Sequence, residues 1–347
     1  MNRLTQWIRS GKKNMGIDLG TANTLVVLQH KGIVVQEPSV VAIDAKTQQV
    51  LAIGKEAYGM VGRTPGNLIA IRPLKDGVIA DFNMAEHMIR AFINKAMTLG
   101  NITAPRVLIG IPWGITELEK RAVFDASKNA GAAETYLIDE PMAAAVGAGL
   151  PVTTNTGHLI VDIGGGTTEV AVIAMGGIVA CKSIRVAGVE MDSTILHHCR
   201  KHYNLLIGER MAETMKIDIG SAYPFEEERH TTVRGRDLLS GLPRTFTLSS
   251  YEIRDALSEP VHAILESIKL TLEKTPPELA ADIMGTGITL MGGGALLHGL
   301  DQLIAEETGI PVNVANEPLS CVALGTQLIL EQPDLMTAIS SSIAQRR

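Results

Sequence analysis

One pattern limits this chain more than any other: an aspartate and a glycine-rich turn held between two apolar runs, present twice. The second copy reads Val161-Asp162-Ile163-Gly164-Gly165-Gly166-Thr167-Thr168-Glu169-Val170. His158–Val161 precedes it and Val170–Ala174 follows, each the length and type of a buried strand. The first copy, Met15-Gly16-Ile17-Asp18-Leu19-Gly20-Thr21-Ala22-Asn23-Thr24-Leu25, has the same order of parts. A glycine turn exposes backbone N–H groups and lets an anion come close, while the aspartate suits a hydrated divalent cation. An ordinary glycine hairpin is the alternative for either copy alone. Two copies point instead to two related halves, each presenting a hairpin to a shared cleft. A third turn, Gly292-Gly293-Gly294-Ala295, follows another apolar run and leads into a helix-like stretch. Its start suits a phosphate, or a base and sugar lying close to backbone.

At 347 residues the chain is long enough for two sizeable cores. With 46% hydrophobic and 20% charged residues it reads as globular. Aromatics are only 3%, so those cores rest on Ile, Leu, Val, Ala and Met. A net charge of −6 argues against bulk nucleic-acid binding. Cys181, Cys199 and Cys321 are widely spread, lack metal-ligand spacing and read as reduced thiols in a cytoplasmic protein. No apolar run approaches a membrane span, and the N-terminus lacks a signal-peptide core.

Residues 1–14 form a segment apart. Leu4, Trp7 and Ile8 share one face of a helix, four basic residues accompany them, and Gly11 ends it. Apolar side chains would enter lipid and basic ones meet anionic headgroups; a frayed end or a helix docked on the protein itself is the alternative. Glu56–Val61, Met84–Leu99, Glu119–Ala130, Met191–Tyr203, Glu209–Gly220, Tyr251–Glu273 and Leu300–Thr308 read as helices, the third capped by Thr116. Strands are expected on either side of the Pro38 turn, at Val50–Ile53, Arg106–Ile111 and Tyr136–Ile138, with an edge strand at Arg244–Leu248. Residues 98–103 read as a loop exposing Leu99 and Ile102, either a second lipid contact or a plain connector. Pro141 suits a first helical turn, which makes Glu140 a helix cap or a carboxylate facing the cleft. Glu213 and Lys216 lie three apart on one helix face, where an exposed ion pair is the simple account. Residues 336–347 read as a mobile tail.

The three turns resemble those of the superfamily of ATPases that contains actin, heat-shock chaperones and sugar kinases. Eight segments narrow the resemblance to the MreB family, the bacterial actins: residues 18–24, 62–66, 72–82, 138–145, 162–170, 204–210, 275–279 and 292–297. It runs from about residue 16 to about residue 330. It implies an α/β protein with the actin-like fold: a first half over 15–148 with a small subdomain near 33–70, and a second half over 149–335 with one near 189–244. By that resemblance the chain binds and hydrolyses ATP, with GTP left open. Asp18 and Asp162 hold hydrated Mg²⁺. Thr21, Ala22, Asn23, Gly164, Gly165 and Gly166 bind phosphates. Glu140, helped by Thr167, positions the attacking water. Glu213, Thr214, Met215 and Lys216, with Gly292, Gly293, Gly294 and Ala295, edge the sugar and base. The family further implies head-to-tail homopolymers on the inner face of the cytoplasmic membrane, working with cell-wall elongation proteins to set rod shape. A sugar-kinase-like phosphotransferase is the alternative on the same core. A heat-shock chaperone would need a long peptide-binding region, for which about fifty residues after the third turn leave no room.

Overall fold

The computed structural model describes residues 14–63, 66–100 and 104–345. Leu4, Trp7, Ile8 and Ile102 lie outside the described residues.

The first half opens with three strands that zigzag because each joins the next by a short turn: β1 (Asn14–Leu19), β2 (Asn23–Leu28) and β3 (Gly32–Pro38). Next comes a small sheet of β4 (Val41–Asp44), β5 (Val50–Ile53) and β6 (Leu68–Ile71), covered by helix α1 (Lys55–Met60). Ala42, Ala52 and Ala57 form its core, small enough for helix and sheet to sit close. The expected boundary at residue 33 therefore moves: β3 pairs with β2 in the large sheet, and the insertion begins after Pro38. A two-stranded hairpin, β7 (Leu74–Lys75) and β8 (Val78–Ile79), returns the chain to α2 (Phe82–Gly100). That helix extends through residue 100, so the segment read as a loop from 98 begins as helix. Strand β9 (Arg106–Ile111), helix α3 (Glu117–Asn129), strand β10 (Glu134–Asp139) and helix α4 (Glu140–Gly147) complete this half. Thr116 caps α3 as the sequence indicates, with Glu119 returning to the cap backbone in a capping box.

The second half repeats the plan. Strands β11 (His158–Ile163), β12 (Thr168–Ala174) and β13 (Gly177–Ile184) zigzag again. A second small unit follows: α5 (Gly188–Tyr203), β14 (Leu205–Leu206), α6 (Glu209–Ile219), β15 (His230–Asp237) and β16 (Pro243–Ser249). Helix α7 (Ser250–Glu273) then runs back to α8 (Pro277–Thr286) and β17 (Ile288–Met291). The glycine turn after β17 leads into a single 3₁₀ turn, Gly293–Leu296, not a regular helix. Helix α9 (Leu300–Thr308) and strand β18 (Val312–Val314) follow.

The two large sheets have one topology. The first runs β10-β9-β1-β2-β3 and the second β18-β17-β11-β12-β13; in each, an antiparallel meander is joined to two parallel strands. Parallel strands need helical crossovers, which cover the sheets and explain why β9, β11 and β12 are buried throughout. The repeat seen in the two aspartate turns is therefore a repeat of the whole fold.

Helices α10 (Cys321–Glu331) and α11 (Pro333–Ala338) and strand β19 (Ile343–Gln345) change two expectations. The residues expected to form a mobile tail include a helix end and a strand, and β19 pairs antiparallel with β10 of the first half. Helix α10 likewise leaves the second half: it packs on α4 and on β1, where a Cβ on Gly16 would meet the Thr326 side chain. Ile329, Leu330, Met336 and Ile339 join a core that contains Ile138 and Met142 on one side and Ile160 and Met291 on the other. The C-terminal stretch thus stitches the halves together, because its apolar face fits between them.

Candidate functional site

Strands β1 and β11 end at the same place, the floor of a cleft of about 440 Å³ between the halves. Its walls include Asp18, Thr21, Ala22, Asn23, Glu140, Asp162, Gly164, Gly165, Gly166, Thr167, Glu213, Lys216, Gly292, Gly293 and Gly294. All of these were expected there. Three others were not brought to the wall. Thr214 turns its hydroxyl back to the Arg210 carbonyl of its own helix. Met215 is buried in the second core, on the opposite face of α6. Ala295 is buried in that core as well. A run of consecutive helical residues cannot all face one cleft, because each step turns the side chain by about 100°.

The two aspartate turns press on each other. A Cβ on Gly165 would stand 2.7 Å from the Ala22 Cβ and 3.0 Å from its nitrogen; one on Gly166 would meet the Thr21 hydroxyl and stand 3.0 Å from the Gly77 nitrogen. Neither glycine has a positive φ. They are needed for close approach of one hairpin to the other, as well as for an open path to an anion. Gly292 is different: its φ is 78° and a Cβ there would crowd the Asp162 carboxylate. On the first side, the Gly77 N–H donates to the Thr21 hydroxyl at 2.9 Å, fixing the β7–β8 turn beside that hairpin.

Acid groups gather on this floor. Asp162, 8% exposed, is held by burial at about 7. Asp18 is pushed to about 7 by burial and by the Asp162 charge. Two neighbouring carboxyl groups, Asp162 buried and Asp18 half-buried, suit a cation between them. Among the described residues no three His, Cys, Asp or Glu side chains form a metal site. A cation here would rely on two aspartates and on the phosphates it accompanies. Glu140 is the first residue of α4, with Pro141 second; Asp139 takes the cap position that the sequence assigned to Glu140, and it makes no side-chain cap bond. The Glu140 carboxyl is therefore free of a capping duty. Burial, then the charges of Glu169, Asp18, Asp162 and Asp139, raise it well above the usual range. Thr167, 9% exposed, stands on the facing hairpin.

At the mouth, Glu213 and Lys216 do not pair with each other. Lys216 reaches Asp192 and the Gly188 carbonyl, each at 2.8 Å, while Glu213 accepts from the Tyr58 hydroxyl at 2.5 Å. Arg72, Gly77, Gly188, Asp192, Ile217, Leu296 and Leu319 also line the cleft and were not anticipated. Glu169 carries no expected role of its own beyond its place in the second aspartate motif. It is 1% exposed, accepts the Trp113 N–H at 2.6 Å and ties the first half's β9 loop to β12. Its place after Thr168 in an otherwise apolar strand is the one sequence signal that marks it.

Residues 12–338 match the family model described as MreB/Mbl protein. The cell shape-determining protein Mbl of Bacillus subtilis (strain 168) is 51% identical over 322 residues, 93% of this chain and 97% of the relative. The cell shape-determining protein MreB of Escherichia coli (strain K12) is 52% identical over 327 residues, 93% and 94% of the two chains. A crystal structure of MreB5 of Spiroplasma citri bound to ADP superposes with a TM-score of 0.89 at 40% identity, covering 94% of this chain and 98% of that one. The chain therefore belongs to the MreB/Mbl family, the actin-like proteins of bacterial cell shape.

Proposed function

We propose that this chain binds and hydrolyses ATP in the cleft between its halves, and that the nucleotide state controls its assembly into filaments at the membrane. The observation that carries the reading is the meeting of two aspartate–glycine hairpins with Glu140 on one cleft floor.

The backbone of Thr21, Ala22 and Asn23 faces that of Gly164, Gly165 and Gly166, so one phosphate chain would be gripped from both sides. Asp18 and Asp162 fit a hydrated Mg²⁺, and such an ion, when bound, supplies charge neutralisation for the phosphates. Glu140 and the Thr167 hydroxyl orient water at the terminal phosphate. Burial and the neighbouring carboxylates raise the affinity of Glu140 for a proton, which suits a group that accepts one from the attacking water. No covalent intermediate is required, since phosphoryl transfer rests mainly on positioning and electrostatics. Glu213 and Lys216 sit at the sugar-and-base end, and Ile217, Leu296 and Leu319 give that end apolar walls.

Two similar halves hinged over one ligand can close around it, and closure changes the shape offered to a neighbouring copy. Contacts between unlike surfaces need not close into a ring and continue as filaments. The N-terminal Leu4, Trp7 and Ile8, with their basic neighbours, would anchor such filaments to anionic lipid on the inner face of the membrane, where they guide cell-wall synthesis. Among the described residues no helix is long and apolar enough to cross a membrane.

Sedimentation with ATP and anionic vesicles tests this reading. ATP should move the protein into a vesicle-bound pellet and Mg²⁺ chelation should reduce that fraction. Pelleting independent of nucleotide would count against it, and phosphorylation of a sugar would point to the kinase alternative.

A further inference from the structure

The two small units meet across the cleft mouth. Helix α1 belongs to the first half and α6 to the second, and Tyr58 and Glu213 are 155 residues apart in sequence. The Tyr58 hydroxyl donates to Glu213 Oε2 at 2.5 Å. The Arg210 guanidinium lies over the Tyr58 ring, 5.0 Å from its centroid, one helical turn before Glu213. Tyr58 is itself packed against the alanine core of its small sheet, so the ring is presented from a fixed base. Burial and the Glu213 carboxylate push its hydroxyl up to about 12, so it remains a donor.

This contact is separate from the floor of the cleft. There the halves are joined by the Trp113–Glu169 bond and by the packing of Gly165 on Ala22. Those contacts are made by the aspartate turns and by the β9 loop on β12, away from the two small units. Tyr58 and Arg210 are not among the cleft-lining residues, yet Glu213, which accepts from Tyr58, is. A hinged pair of halves with a bond at its open edge can release a ligand only when that bond breaks. Among the described hydrogen bonds, the one from Tyr58 to Glu213 is the direct link between the two small units.

We propose that Tyr58 and Arg210 are positioning residues that latch the cleft mouth through Glu213, so that opening of this cluster sets the rate at which nucleotide leaves. The inference rests on the nucleotide-binding reading above. The latch fixes the Glu213 carboxylate at the sugar end and leaves the Glu140 end untouched. Its loss should change residence of the nucleotide and not the chemical step. A hydrogen bond to a charged acceptor is strong enough that losing it should speed release about tenfold. Removing the cation over the ring should have a smaller effect, about threefold.

The test uses the full chain loaded with an ATP analogue whose base is fluorescent, chased with excess ATP in a stopped-flow instrument. Single-turnover hydrolysis of prebound ATP is measured alongside. Tyr58→Phe keeps the ring and its packing and removes only the donor. It should release the analogue about tenfold faster, with the hydrolysis rate within about twofold of the parent. Arg210→Ala should lie between them, and Tyr58→Phe combined with Glu213→Ala should be no faster than Glu213→Ala alone. Release at the parental rate in both single variants overturns the latch, as does a fall in hydrolysis equal to the rise in release. Failure of the parent to bind the analogue overturns the nucleotide reading itself, a result distinct from failure of the latch.

Discussion

Asp18 and Asp162 reach the cleft floor at the ends of matching strands, and each is held near 7 by burial, Asp18 also by its partner's charge. Raised carboxyl groups bind protons in the folded state that the unfolded chain has already lost at the same pH. Their favourable contribution is full below about 4 and is lost as pH rises through about 7. The ligand-free protein should therefore gain thermal stability when pH falls from 8 to 6, and Mg-ATP should flatten that dependence by stabilising the charged pair. Thermal melts across this range with and without Mg-ATP check both parts; a ligand-free midpoint that rises with pH would contradict burial of the two carboxyls as the cause. Asp162→Ala should weaken Mg-ATP binding about tenfold or more by calorimetry, since a triphosphate complex loses one of its two acceptors. These residues were legible in the sequence because their geometry is local: an aspartate two places before a glycine turn can point only to the turn's mouth. Arg72, Asp192 and Leu319 were not legible, because they arrive from segments far apart in sequence and carry no local signature. Thr214, Met215 and Ala295 were misplaced because a motif is continuous in sequence while a helix face is not.

Helices α4 and α10 cross with their backbones touching. A Cβ on Gly147 would collide with the Cys321 carbonyl and stand 2.8 Å from the Gly325 nitrogen; one on Gly325 would collide with the Ala143 carbonyl. The colliding atoms are backbone, so neither helix can yield without moving the sheets behind it. Gly147→Ala should then destabilise by about 1–3 kcal/mol, the usual cost of overpacking, and lower the melting midpoint by about 1.5–4 °C. A midpoint within 1 °C of the parent, on the order of measurement error, would show that the crossing has slack. Most helices were legible from their apolar spacing, and α3 from its Thr116–Glu119 box. Strand β15 was missed because its sequence, HTTVRGRD, buries only Val233 and Asp237 and reads as polar loop until β16 pairs with it. Strand β13 was missed although Ile178–Cys181 is an apolar run; none of its residues is fully buried.

At the scale of the whole molecule, two related halves were legible because the aspartate turn occurs twice. The return of residues 321–345 to the first half was not, since pairing of β19 with β10 joins segments some two hundred residues apart. The proposed membrane attachment belongs to this scale too, through many copies. Burying Leu4, Trp7 and Ile8 contributes roughly 1.5–3 kcal/mol per side chain before ordering costs, and each basic residue about 1 kcal/mol near anionic lipid. A monomer should bind vesicles weakly and a filament strongly. Trp7→Glu should strip filaments from anionic vesicles while polymerisation in solution persists, and added salt should weaken attachment of the parent. Equal pelleting of parent and variant with vesicles would place the anchor elsewhere, with Leu99 to Ile102 as the next segment to test.

Glu140 is proposed to work on the water that attacks ATP held between the two hairpins. Single-turnover hydrolysis of prebound ATP, measured as phosphate released, addresses it without interference from nucleotide exchange or assembly. Glu140→Ala should bind Mg-ATP within about threefold of the parent and release phosphate about 10²-fold more slowly, because a water-orienting carboxylate acts on the transition state more than on the bound ground state. Phosphate release at the parental rate from the loaded variant would contradict the account.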